Sequence, residues 1–220
     1  MPFKDAEERL TFEAKHLADT AWRRISDFCL FTFTLTELGL LFLLTPGFTL
    51  VDWIYVVQNL LVLVIALTRR APAAQDHSPL STFAVGISCA YPYAQVICLA
   101  ETNGYVAWPE AGLMLVTVTA CLTLASLVSI GRFFGLRPAL RGLATRGPYA
   151  FVRHPMYLAY FLSDIGYQLQ EWNAGTLLLV LIGWMALIYR IRGEESVLSA
   201  HIEWPAYVRA VPYRLVPGIW

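Results

Sequence analysis

The sequence predicts an all-α protein, a polytopic membrane bundle of about six spanning helices. Three observations carry that expectation. The 220-residue chain is 57% hydrophobic and 15% charged with a mean hydropathy of +0.55, too apolar for an ordinary soluble domain. Its apolar residues fall into separate runs, most of them close to the roughly 20 residues that cross a ~30 Å hydrocarbon core. Basic residues cluster at alternate connections: Arg23-Arg24, Arg69-Arg70, five arginines between 131 and 155, then Arg190 and Arg192, whereas the turns at 45–47, 101–105 and 170–174 hold no Lys or Arg. This positive-inside pattern predicts an integral, multi-pass protein with both termini and the 131–155 loop in the cytoplasm.

Taken in order, residues 1–24 mix charges with Phe3, Leu10, Phe12, Leu17 and Trp22. That composition suits an interfacial amphipathic helix better than a cleavable signal, which needs basic residues first and a small-residue cleavage site afterwards. A four-span region, 25–130, follows. Its first span covers about 25–44 and stops at Thr45-Pro46-Gly47; the second covers about 48–68 and ends at the Arg69-Arg70 pair. The third spans about 80–100, Glu101 to Gly104 turns the chain, and the fourth spans about 106–130 with Pro109 tolerable in its first turn. The third region, 131–220, leaves the bilayer at Gly131 and returns in two apolar segments, 156–169 and 175–189. Each is short for a crossing, so a tight helical hairpin over 156–189 is expected, one that tilts or extends past the apolar limits using Gln168 and Arg190. The halves share no repeat, which argues against an inverted-repeat transporter.

Composition removes several classes of function. Lys+Arg and Asp+Glu both total 16, so no basic excess points to nucleic acid. Cys29, Cys89, Cys98 and Cys121 sit singly in apolar runs, and His16, His77, His154 and His201 never fall three to five apart. Neither pattern makes a disulfide framework or a metal site.

Chemistry concentrates in two pieces that flank the hairpin and should therefore meet at one membrane face. The first is Gly147-Pro-Tyr149-Ala-Phe-Val-Arg153-His154-Pro155-Met156-Tyr157, polar, aromatic and turn-rich at a membrane boundary. The second opens Arg190-Ile-Arg192-Gly-Glu194-Glu195, where 190 and 194 share a face if the helix runs through Gly193. That face offers a guanidinium to an anion and a carboxylate to a cation; on its own it could equally be a solubilising intrahelical pair. Trp204, Tyr207, Tyr213 and Trp220 follow, a composition suited to stacking an adenine and surrounding a cation with ring faces. Glu37, Glu110 and Asp164 lie inside or beside apolar runs and should face protein or a cavity.

At these residues the chain resembles the isoprenylcysteine carboxyl methyltransferase family and its phospholipid methyltransferase relatives. The likeness covers roughly 141–217: Gly147-Pro-Tyr149, Phe151-Val-Arg-His154-Pro-Met-Tyr157, Glu194-Glu195-x-x-Leu198, and the tail Trp204-x-x-Tyr207-x-x-x-Val211-x-x-Arg214-x-x-Pro217. The stretch between the glutamates and the tail lacks the family's Phe-Gly and is about two residues short, and Trp204 stands where many relatives have tyrosine. The resemblance implies an S-adenosylmethionine-dependent methyltransferase without a Rossmann domain, acting on a lipidic or prenylated acceptor. It implies cofactor contacts for Leu143, Ala144, Tyr149, His154, Pro155, Met156, Tyr157 and Glu194, and a substrate role for Arg190. Should the acceptor be an amine, Glu195 or His154 could take its proton; a carboxylate needs no base. The alternatives are an NADPH-dependent enzyme like the sterol reductases, which share the His-Pro-x-Tyr core, and a non-enzymatic transporter or scaffold.

Overall fold

The computed structural model describes residues 24–25, 27–43, 47–76, 78–101 and 108–220, and it is mostly helical. The interfacial helix expected over 1–24 therefore falls almost wholly outside the described residues. The helices are α1 (27–43), α2 (Leu50–Thr68), α3 (Pro79–Glu101), α4 (Pro109–Ile130), α5 (Pro155–Gln170), α6 (Ala174–Leu198) and the short α7 (Trp204–Ala210). Among the described residues, three stretches, Leu50–Thr68, Pro109–Phe133 and Ala174–Leu198, are long and apolar enough to cross a membrane.

Local chemistry sets the helix ends. Thr49 and Asp52 form a reciprocal capping box at the start of α2, satisfying donors that have no partner inside the helix. Asn173 does the same for α6, accepting from the amides of Gly175 and Thr176. Pro155 occupies the first turn of α5, where its missing N–H costs nothing.

The second hairpin arm extends past its apolar limit, one of the two expected solutions: α6 runs 25 residues, through Gly193 and four charged side chains, about 37 Å at 1.5 Å per residue. Three of those side chains find partners beyond the helix: Arg190 in Ser88 and Leu136, Glu194 in Tyr157, and Glu195 in Arg153 and Arg214. One expectation needs correcting: the arms do not mainly pack on each other. The chief contacts of α5 are with α4, and those of α6 are with α3. Glycines permit both pairings: a Cβ on Gly112 would sit 2.5 Å from the Gly166 carbonyl, and one on Gly183 would sit 2.7 Å from the Tyr91 ring. Close backbone approach through small residues is how helices associate where no hydrophobic drive distinguishes them from lipid. Asp164 ties the arrangement together, its Oδ2 accepting from Tyr91 (3.0 Å) on α3 and Trp184 Nε1 (2.8 Å) on α6.

The all-α expectation also misses a small ribbon. β1 (Ala74–Gln75) pairs antiparallel with β2 (Ala139–Leu140), in register Ala74 to Leu140. Together with bonds from Arg70 N to Arg132 O and Asp76 N to Pro138 O, it joins the α2–α3 and α4–α5 connections at one end of the bundle.

Candidate active site

At that same end, the segment before α5, the C-terminal end of α6 and the tail fold against one another. Gly147 opens a 3-10 turn at φ +61, and an added Cβ would lie 2.3 Å from Ser129 Oγ, so only glycine fits. The turn buries Tyr149, whose carbonyl accepts from the Tyr207 hydroxyl of α7 at 2.8 Å. Further along, the amides of Arg153 and His154 donate to the carbonyls of Tyr213 and Arg214, each at 2.9 Å. Arg153 Nη1 also reaches the carbonyls of Val211 and Pro212. The tail is thus laid along the His-Pro segment by backbone bonds on both sides. Burial holds the Tyr149 phenol well above its ordinary pKa, and burial pushes Tyr207 up to about 12 with Arg153 opposing. Both therefore remain neutral hydroxyls, and Tyr207 keeps its proton to donate.

The adjacent glutamates divide the work because successive helical residues point about 100° apart. Glu194 faces inward, its Oε1 accepting from the Tyr157 hydroxyl and its Oε2 lying 3.9 Å from His154 Nδ1. Glu195 turns the other way. It takes Arg153 Nε at 2.8 Å, Arg214 Nε and Nη2 both at 2.8 Å, and His154 Nε2 at 3.3 Å. One carboxylate thereby clamps the His-Pro segment to α6 and to the tail, through charge-assisted bonds.

Arg190, one turn before Glu194, is only 8% exposed. Its Nη1 donates to Ser88 Oγ and its Nη2 to Leu136 O, both at 2.8 Å, while Cζ stands 5.5 Å from the Tyr157 ring centroid. Nε is buried without a hydrogen-bond partner.

These groups surround a cavity of about 890 Å³, within the range of small-molecule sites. Of the residues singled out from sequence, Leu143, Ala144, Tyr149, His154, Met156, Tyr157, Arg190 and Glu194 line it. Pro155 is instead fully buried at the start of α5, and Glu195 sits in its ion cluster rather than in the lining. Trp204 and Tyr207, the aromatics whose composition suited ring stacking, complete the wall with Leu198, and Arg153 and Arg214, given no role from sequence, hold its edge. Their signal was present in the basic residues beside His154 and in the tail; which carboxylate they would meet was not. Among the described residues no group of three His, Cys, Asp or Glu could hold a metal ion.

Residues 110–200 match the profile of the isoprenylcysteine carboxyl methyltransferase (ICMT) family. The protein-S-isoprenylcysteine O-methyltransferase of Schizosaccharomyces pombe is 37% identical over 73 residues, 32% of this chain and 31% of that protein. The nickel-cobalt-cadmium resistance protein NccN of Alcaligenes xylosoxydans xylosoxydans is 27% identical over 151 residues, 64% of this chain and 70% of that protein. The family match spans α4 to α6, the elements that carry Arg190, His154 and both glutamates, and with the apolar helices it supports a membrane methyltransferase.

Proposed function

We propose, for a chain whose residues 110–200 carry the sequence of the ICMT family, that it transfers a methyl group from S-adenosylmethionine to the carboxylate of a lipidic or prenylated acceptor. In this reading all of α1 to α6 cross the membrane and the arginine-rich end lies in the cytoplasm. One observation carries it: at the arginine-rich end of the cavity the Glu194 carboxylate faces a wall of aromatic rings beside a buried arginine with an unspent N–H.

That donor set fits S-adenosylmethionine, whose sulfonium supplies an already activated methyl group. Glu194 would balance the cationic centre, steadied by the Tyr157 hydroxyl, and the faces of Tyr149, Trp204 and Tyr207 would stack a purine and add cation–π attraction. Arg190 would receive the acceptor, its free Nε presenting the donor an anionic group lacks elsewhere. Glu195 acts as a positioning residue in this scheme: a carboxylate already committed to two guanidiniums and an imidazole is a poor proton acceptor. An acceptor carboxylate arrives ionised and needs no base, so alignment and exclusion of water are the remaining tasks.

Calorimetric titration of the purified protein with S-adenosylmethionine and with NADPH tests the reading. Binding of the first alone is expected; binding of NADPH alone would replace the proposal by a reductase. Glu194→Ala should abolish cofactor binding in a folded protein. Arg190→Lys should retain it and lose methyl transfer; loss of both would remove the substrate role.

A further inference from the structure

The cavity does not stop at the reacting end. It continues between α1, α2 and α3, and there its wall turns polar again: Glu37, Tyr55, Asn59 and Tyr93 all line it. Glu37 belongs to the inner stripe of α1. Leu30 and Thr34, seven and three residues earlier, are each 2% exposed, and Phe33, one turn before Glu37, packs edge-on against Tyr93 with ring centroids 5.6 Å apart. The carboxylate therefore faces the cavity and not lipid. The Tyr93 hydroxyl is buried with no hydrogen-bond partner, while the hydroxyls of Tyr55 and Tyr167 bond each other at 2.9 Å. Asp164 shows what a purely structural carboxylate looks like in this bundle, saturated by donors from two other helices. Glu37 is presented to the cavity instead, and a carboxylate kept among membrane helices is expensive unless something uses it.

We infer that this far end is a second recognition subsite, in which Glu37 and Tyr93 hold a hydrogen-bond-donating group, a hydroxyl or protonated amine, on the acceptor's tail. The inference rests on the methyl-acceptor reading of the Arg190 end. Helix rise sets the span. From Tyr157 to Tyr167 along α5 is ten residues, about 15 Å, and from Ser88, which holds Arg190, to Tyr93 along α3 is five, about 7 Å. The acceptor is thus an amphiphile polar at both ends, its second polar group roughly 7–15 Å from the group that Arg190 binds.

Binding of plain fatty acids to the purified full-length chain is to be compared with that of their ω-hydroxy and ω-amino analogues, eight to sixteen carbons long, by calorimetry. At an optimal length one analogue should bind about tenfold tighter than the plain acid, as expected for a hydrogen bond to a charged group. Which analogue wins identifies the donor. Glu37→Leu should erase that preference and Tyr93→Phe should reduce it. No discrimination at any length, or discrimination untouched by both substitutions, overturns the subsite. S-adenosylmethionine titrated into the same samples keeps the two readings apart. Failure of the cofactor to bind while the tail preference persists would defeat methyl transfer and leave the subsite standing.

Discussion

Replacing Glu195 by glutamine keeps the side chain's length but removes the charge that holds three partners. In the native protein Arg153 and Arg214 both meet this carboxylate at 2.8 Å and His154 meets it at 3.3 Å. Arg153 is nearly inaccessible, with a side chain 6% exposed, whereas that of Arg214 is 32% exposed, so the Arg153 pair dominates the loss. Breaking one partner out of a buried pair costs about 3–5 kcal/mol; the amide retains one acceptor, so about 3 kcal/mol is expected. That corresponds to an increase on the order of a hundredfold in transient opening of the tail. Hydrogen exchange reads the effect directly, because the amides of Arg153 and His154 donate only across this junction, to Tyr213 and Arg214. Their protection should fall on the order of a hundredfold in Glu195→Gln while amides in the middle of α4 keep theirs. Unchanged exchange at both amides would refute the clamp. Equal loss of protection throughout would show that Glu195 supports the whole fold rather than this junction.

The remaining expectations concern packing, a buried network and pH. Gly112→Leu should lower the midpoint of thermal unfolding by destabilising the protein about 1–3 kcal/mol, since even a Cβ there meets the Gly166 carbonyl and the Gln170 amide, backbone that cannot rotate away; an unaltered midpoint would show that α4 and α5 can part freely. Asp164→Ala leaves the Tyr91 and Trp184 donors unpaired, at about 1–3 kcal/mol each, and should red- or blue-shift Trp184 fluorescence as well as reduce stability. Tyr207 is protonated in the fold up to about pH 12, against ~10 in an unfolded chain. Its contribution to docking is therefore complete below about pH 10 and lost as pH rises through about 12; tyrosinate absorbance should follow that course, and Tyr207→Phe should lack the late component.

Much of the candidate site was legible because its signal is local. Arg190 and Glu194 are one turn apart, and a helix of any tertiary context puts them on one face. The His-Pro start of α5 and the flanking hairpin likewise predict that two separate segments share an end of the bundle, and His154 and Glu194 do come within 3.9 Å. What stayed hidden is relational. Nothing local says that Glu195, its neighbour identical in chemistry, would turn to Arg153 and Arg214, or that Glu37, more than a hundred residues away, would line the same cavity.

By itself the amino-acid order determines that this chain is a set of apolar helices punctuated by basic connections, where most of them begin and end to within a few residues, the far end of α6 excepted, and which residue types stand ready for an anion, a cation and a ring. Those are consequences of backbone hydrogen bonding and of hydrophobicity, which act over one turn or one bilayer. The tertiary structure decided that α5 lies on α4 and α6 on α3, because glycines at 112, 166 and 183 admit those approaches, and it decided which of the adjacent carboxylates faces the cavity and which fastens the tail. Steric fit and ion pairing depend on atoms distant in sequence, and only the folded chain brings them within reach.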